Sequence, residues 1–450
     1  MRYRIRTAAL LLSAGLVGAT IAVTPARAQQ APVMLTIENA IQRALEANLN
    51  VLEARTRTDE DQGTESRSQA ALLPRVNAET YANYQNRDLR AFGISVPGLP
   101  LPNVVGPFSN YDFRIYAQQD VLDLSSVRTW KASELALGAD KLSEQDARDL
   151  IVRLAASLYL NAQSAAARTQ AAQSRVTDSS ALLKLAQDRH DAGTATGVDV
   201  LRAQVQLAND RQALLEAENQ YKQSLLALAR NLGMSPDTPI ELAEQLRFQP
   251  LNLPAPDALV TSALASRADY QSLAAQRESL LEQQRANRAR FYPKVSVNGN
   301  IGELGRSIGG VATTGLIQGQ IDFTIFDRDR EGEAQQLAAR LRRFDDQIAD
   351  LRRGVSEDVH AALLDLDSAA QEVEVATVGQ ELAKRELQEA QDRFKAGTAN
   401  NVEVITAQDE LARAEENYIL AASSHVDAKY ALARALGNTE KNIVKFAEKE

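Results

Sequence analysis

The stretch AQDRHDAGTATGVDVLRAQVQLA, residues 186–208, returns later in the chain as AQDRFKAGTANNVEVITAQDELA, residues 390–412. The copies lie 390 − 186 = 204 residues apart, and the register holds without a gap to the Leu232-Gly233 and Leu436-Gly437 pairs. A second anchor lies upstream, where LLPRVNAETYANYQ and FYPKVSVNGNIGEL align Pro74 with Pro293, an offset of 293 − 74 = 219. The first half therefore carries 219 − 204 = 15 extra residues between Pro74 and Ala186. An insertion confined to one place is what a surface loop tolerates, and two homologous halves predict two copies of one structural unit.

Working back from the second copy, apolar or small residues fall at Val355, Val359, Ala362, Leu366, Ala369, Val373, Ala376, Ala383, Leu387, Ala390 and Phe394, with Gln380 in the same series. The steps alternate between four and three, which is a coiled-coil seam. The 204-residue offset carries the seam to Ile151, Ala155, Leu158, Ala162, Ala165, Thr169, Ala172, Val176, Ser179, Leu183, Ala186 and His190. After the AGTAT and AGTAN turns it resumes through Val200, Ala203, Leu207, Asp210 and Leu214, and through Val404, Ala407, Leu411 and Ala414. Gly193 and Gly397 stand where a helix ends on a left-handed glycine, and Asp199 and Glu403 stand in the first turn of the next helix, where an acid suits the dipole. Each repeat thus predicts an antiparallel helical hairpin with its tip near 191–198 or 395–402. An incoming arm over residues 124–190 would be roughly 100 Å long.

Other segments alternate with a period of two. In VNAETYANY, Val76, Ala78, Thr80, Ala82 and Tyr84 oppose Asn77, Glu79, Tyr81 and Asn83. In IQGQIDFTI, Ile317, Gly319, Ile321, Phe323 and Ile325 oppose Gln318, Gln320, Asp322 and Thr324. With YDFRIYAQ and KVSVNGNI these predict four strands, at about 75–87, 110–121, 294–303 and 314–326, each long enough to cross hydrocarbon when tilted. Four strands leave two open edges in lipid, so closure must come from other chains. The extra residues of the first half, within LRAFGISVPGLPLPNVVGPFSN, are expected to form the longer outer loop, because proline and glycine suit no lipid-facing strand.

Arg2, Arg4 and Arg6 precede an apolar run, TAALLLSAGLVGATIAV, and ARAQQ offers a cleavage site after Ala28, so the chain reads as exported. No later run is apolar enough to cross a membrane as a helix. Removing four arginines leaves 50 − 4 = 46 bases against 59 acids, a net charge of −13, the wrong sign for nucleic-acid binding. Cysteine is absent, which excludes disulfides, thiolate metal sites and a cysteine-linked lipid anchor.

Catalytic and cofactor signals are weak throughout. GRSIG, residues 305–309, matches the serine-hydrolase elbow pattern but lies between two alternating strands instead of between a strand and a helix. His190, His360 and His425 have no ligand-spaced neighbours, and no glycine-rich phosphate loop opens a helix, so no enzyme, metal or cofactor is expected.

The two AQDRxxAGTAxxV[DE]V tips, the LLPRV and FYPKV strand starts, the VLDLS and IFDRD strand ends and ENAIQRALEANLNV at the front together resemble the TolC family of outer-membrane efflux proteins, over essentially the whole mature chain. The resemblance implies a mixed membrane α+β fold. Three chains would pool 3 × 4 = 12 strands into one transmembrane β-barrel, continued by long coiled-coil helices as a periplasmic α-helical tunnel. It implies a signal peptide over 1–28, a first repeat over 29–233, a linker over 234–256, a second repeat over 257–437 and a tail over 438–450. It also implies a passive trimeric duct of a tripartite efflux or type I secretion system, set in outer-membrane lipid and docked on a periplasmic adaptor and an inner-membrane pump.

By the same resemblance, Asp199, Glu403, Phe394 and Thr406 belong to the tunnel entrance, and Arg189, Gly193, Thr194, Arg393, Gly397 and Thr398 to adaptor docking. Phe394 falls where the family can carry an aromatic hydroxyl, Ala399 where an arginine latches the closed state, and Thr406 where a second ring of acids lies. Fewer polar latches are therefore expected here. For Asp199 and Glu403, simple stabilisation of a helix N-terminus is the competing role. An exported coiled-coil spacer is the competing reading for the whole chain, and it leaves the four amphipathic strands without a purpose.

Overall fold

The computed structural model describes residues 32–89, 91, 93, 102–244, 248–249, 251, 255–437 and 439–440. The expected signal peptide over 1–28 lies outside the described residues. The chain runs β1 (Val33–Leu35), α1 (Ile37–Ala47), α2 (Leu49–Ala70), β2 (Arg75–Asp88), β3 (Val104–Leu122), α3 (Leu124–Asp191) and α4 (Gly197–Asn231). It continues through β4 (Ile240–Leu242), α5 (Pro256–Ser266), α6 (Ala268–Ala289), β5 (Lys294–Gly305), β6 (Val311–Asp322), α7 (Arg328–Lys395) and α8 (Asn401–Ala435).

The duplication is carried through to the elements themselves. α3 and α7 each hold 68 residues, and α4 and α8 each hold 35. Both pairs start 204 residues apart, 328 − 124 and 401 − 197. The strand-end motifs become helix caps: Asp123 Oδ1 accepts from Ser126 N at 3.0 Å and Asp327 Oδ1 from Arg330 N at 3.4 Å. Of the seam in α7, every position except Ala376 and Gln380 is buried.

The helices form a wall four wide along its whole length. α3 and α7 are the full-length rods, about 100 Å each. Toward the hairpin tips the order is α4, α3, α8, α7; toward the strands it is α2, α3, α6, α7. Arg153 donates to Asp427 at 2.7 and 2.6 Å and Arg168 to Glu416 at 2.9 Å, tying α3 to α8. At mid-length α1 and a parallel β1–β4 pair pack on α3, with Leu35 and Tyr159 fully buried and the Tyr159 hydroxyl donating to Leu35 O at 2.9 Å. The segment read as a linker, 234–256, therefore contains a strand, and in the segment read as a tail Thr439 N donates to buried Asp149 at 3.0 Å.

The four strands of the sheet pair antiparallel in the order β2-β3-β5-β6. The register lines up one apolar face across all four: Val76, Ala78 and Ala82; Phe113, Ile115 and Ala117; Val295, Val297 and Ile301; Ile317 and Ile321. The opposite face is polar and internally bonded. Arg114 donates to Asp112 at 3.3 Å, Asn300 at 2.7 Å and Thr314 at 3.1 Å, while the Tyr81 hydroxyl donates to Asp112 at 3.0 Å. Among the described residues no helix is long and apolar enough to cross a membrane.

Two strand expectations need correction. Residues 104–110 belong to β3, not to the outer loop, because a bulge absorbs the offending pair: Val105 and Phe108 oppose Arg87 and Gln85, leaving Gly106 and Pro107 opposite Asn86. Gly106 has φ +128°, and a Cβ there would come within 2.6 Å of Asn86 Oδ1, so glycine is required. The rest of the expected loop falls largely outside the described residues. At the other edge β6 stops at Asp322 and not at 326, because its partner β5 begins at Lys294, after Pro293.

Candidate functional site: the paired hairpin tips

Each tip is built by the same local chemistry. Gly193 (φ +73°) and Gly397 (φ +77°) reverse the chain at the ends of α3 and α7. Thr194 N and Oγ1 both donate to Arg189 O, at 2.8 and 3.0 Å, and Thr398 N and Oγ1 both donate to Arg393 O, at 3.0 and 3.1 Å. Each threonine thus bonds twice to one carbonyl in the last turn of its helix.

The copies diverge where the next helix starts. On α4, Thr196 and Asp199 form a capping box: Asp199 N donates to Thr196 Oγ1 at 3.4 Å, and Asp199 Oδ2 accepts from Thr196 N at 3.0 Å and from Thr196 Oγ1 at 2.7 Å. The Thr196 hydroxyl, then its backbone N–H, hold the Asp199 carboxyl below the usual carboxylate range despite burial, with Arg202 and Arg189 adding to the effect. On α8 the cap is Asn400, whose Oδ1 accepts from Val402 N at 3.0 Å and Glu403 N at 3.3 Å. The Glu403 side chain is free of cap duty and pairs with Arg393 at 3.0 Å, with 41% of its side chain exposed against 16% for Asp199. An ion pair this open to water is worth at most about 1 kcal/mol.

The two tips lean on one another. Phe394, 3% exposed, joins Leu182, Ala186, Ala203, Leu387, Val404 and Ala407 in a cluster shared by both hairpins. The Arg189 guanidinium lies 4.7 Å from the centre of the Phe394 ring and donates through Nη1 to Phe394 O. Asn401, fully buried, donates to Asp199 O at 2.8 Å from the opposite hairpin.

The expected site residues therefore separate. Arg189, Phe394 and Asp199 are engaged in the joint between the hairpins, while Thr194 and Thr398 are exposed and bonded back to the ends of their own helices. Gly193, Gly397, Arg393 and Glu403 stay open to solvent at the tip surface, and Thr406 is exposed on α8 outside this network. Thr196 and Asn401 escaped the sequence reading, although the signal was present: TATGV and TANNV part company at Thr196/Asn400 and Gly197/Asn401, where capping and inter-hairpin contact differ.

GRSIG forms the β5–β6 turn, closed by Gly310 N donating to Ser307 O at 3.0 Å. His190 and His360 are exposed; His425 is buried against the Phe248 ring, and burial, with Lys429 nearby, lowers its pKa to about 4.

The chain is similar to known proteins over most of its length. It is 23% identical over 413 residues to the pyoverdine export outer membrane protein OpmQ of Pseudomonas aeruginosa, covering 89% of this chain and 85% of that one. It is 25% identical over 360 residues to the toluene efflux pump outer membrane protein TtgC of Pseudomonas putida, covering 74% and 70%. Its fold matches the crystal structure of the outer membrane protein VceC of Vibrio cholerae with a TM-score of 0.74 at 18% identity, over 89% of this chain and 96% of that one. The family model described as outer membrane efflux protein matches residues 40–234 and 259–438, one segment in each repeat. With the sheet, the long hairpins and the duplication in agreement, the chain belongs to the outer membrane efflux protein family and is a protein of the bacterial outer membrane that extends into the periplasm.

Proposed function

We propose that the protein is the passive outer-membrane duct of a tripartite export system, working as a homotrimer whose hairpin tips meet a periplasmic adaptor coupled to an inner-membrane pump. The observation that carries this reading is the pair of open edges that runs the full length of the chain. In the sheet the edges are β2 and β6, and in the wall they are α2 and α4 on one side and α7 on the other. β2 and β6 run in opposite directions, so β6 of one copy beside β2 of the next continues the antiparallel ladder. Three copies give 3 × 4 = 12 strands and leave no edge in lipid.

Closure this way turns the apolar face toward lipid and the Arg114 network toward a water-filled lumen. Ile317 is 86% and Ile301 59% exposed in the single chain, a cost that lipid contact removes. A coiled-coil spacer would gain nothing from such a face. The names of the relatives, for pyoverdine export and toluene efflux, point to small-molecule cargo.

Detergent-solubilised mass and planar-bilayer conductance test the reading together. A trimer that conducts is expected. A stable monomer with full β content, or a trimer with no conductance under any condition, would overturn it.

A further inference from the structure

The two hairpins differ in one layer of their seams. In α3 and α4 the facing seam positions are Ser179 and Asp210; 204 residues on, in α7 and α8, they are Ala383 and Ala414. Asp210 is 7% exposed and Ser179 fully buried. The Ser179 hydroxyl donates to Arg175 O of its own helix at 2.9 Å. Gln206 Nε2 of the same helix lies 3.5 Å from each carboxylate oxygen of Asp210, at the long limit of a hydrogen bond, and that same amide is shared with Asp409 of α8 at 3.3 Å. Buried Gln408 leaves its Oε1, and Arg175 its Nε, without a partner. A carboxylate packed in a coiled-coil seam with this little hydrogen bonding weakens the seam, whereas the alanine layer of the second hairpin carries no such cost.

We propose that Asp210 and Ser179 form a hinge in the first hairpin, the level at which it yields when the tips part, and that ionisation of Asp210 loosens it. The role as a gate hinge rests on the duct reading above. The charged groups around Asp210 are Arg175 and Asp178 on α3, Asp409 and Glu415 on α8, and Lys384 on α7 beside Glu415. Burial raises Asp210 above the usual carboxylate range; Ser179, Arg175 and Gln206 oppose the shift, and Asp409 adds to it. Burial also raises Asp178, with Asp210 contributing, and raises Glu415. For a raised carboxyl the stabilisation is complete in acid and is lost as pH rises through the raised value, so the hinge is tightest in acid and loosens toward neutrality.

Hydrogen exchange on the detergent-solubilised full-length protein tests the hinge without relying on transport. At neutral pH, residues 175–184 and 203–214, which flank the hinge and leave out the tip, should show about ten-fold lower protection than their counterparts at 379–388 and 407–418, a gap that closes in acid. Asp210→Asn should sharply reduce the pH response, leaving only the part due to Asp178 and Glu415, and the Ser179→Ala/Asp210→Ala double variant should bring the first hairpin up to the protection of the second. Equal protection of the two hairpins in the wild type, or a pH response left undiminished by Asp210→Asn, overturns the hinge. Absence of conductance in bilayers would instead count against the duct, leaving the exchange comparison to decide the hinge by itself.

Discussion

Arg189 concentrates several contacts in one side chain: it caps the Phe394 carbonyl, lies over the Phe394 ring and reaches the Thr194 carbonyl at 3.5 Å. Arg189→Ala should loosen the joint between hairpins by about 2 kcal/mol, the sum of a charge-assisted hydrogen bond and an exposed cation–π contact. The check is increased exchange at Phe394 and Asn401 and a larger basal conductance. The acids at the tips should behave differently from each other, because Asp199 is turned back into a capping box while Glu403 faces solvent. If the mouth is an acidic ring, Glu403→Gln should reduce cation preference in planar bilayers more than Asp199→Asn does. Equal effects would show that the Asp199 carboxylate reaches the lumen in the trimer. Asp199 has the opposite pH sign to Asp210. Its lowered pKa contributes stability that is present above the unfolded value and is lost as pH falls through the folded one. Acid should therefore fray the start of α4, and exchange at Gly197–Asp199 should rise there.

Among the strands, apolar and polar faces alternate residue by residue, and if the sheet closes into the proposed barrel they face lipid and lumen, so neighbouring substitutions should diverge. Ile317→Arg places a charge on the continuous apolar face and should cost about 2–4 kcal/mol near mid-membrane, while Gln318→Arg on the polar face should be tolerated. Unfolding by urea from lipid vesicles measures both, and similar costs at the two sites would mean the faces are assigned the wrong way round. Alternation is legible in sequence because strand side chains point to opposite faces with a period of two. What escaped it was the bulge at Gly106-Pro107: a break in alternation looks like a loop until the partner strand shows that Asn86 alone stands opposite both residues.

For the proposed assembly, the tips are the surface the duct reading assigns to the adaptor. Nothing lies within 4 Å of a Cβ built on Gly193, and only Arg189 Nη2, at 3.5 Å, approaches one on Gly397, so a side chain there would project outward toward a partner. Both glycines also hold positive φ, which a β-branched residue resists by about 1–2 kcal/mol. Replacing both with valine should abolish export while leaving trimer yield unchanged. Cargo export by the double variant would remove tip docking from the mechanism, and loss of the trimer itself would show that the turns serve folding first.

The duplication, the helical hairpins, their length and the faces of the strands could all be read before any coordinates, because periodicity and a constant 204-residue offset are properties of the chain's order alone. The fates of the tip residues could not. Asp199 and Glu403 occupy equivalent positions in sequence, yet one completes a cap and the other an ion pair, because Thr196 and Asn400 satisfy the helix ends by different routes. Phe394 reads as one more seam residue until α3 packs on α8 and Arg189 reaches across to the end of α7, when it becomes the floor under Arg189. Likewise Asp210 is a polar interruption on paper, and its burial, its shared amide and its unmatched counterpart Ala414 emerge only when four helices pack at one level. Contacts between residues some 200 positions apart depend on how the hairpins pack, and local patterns of hydrophobicity do not encode them.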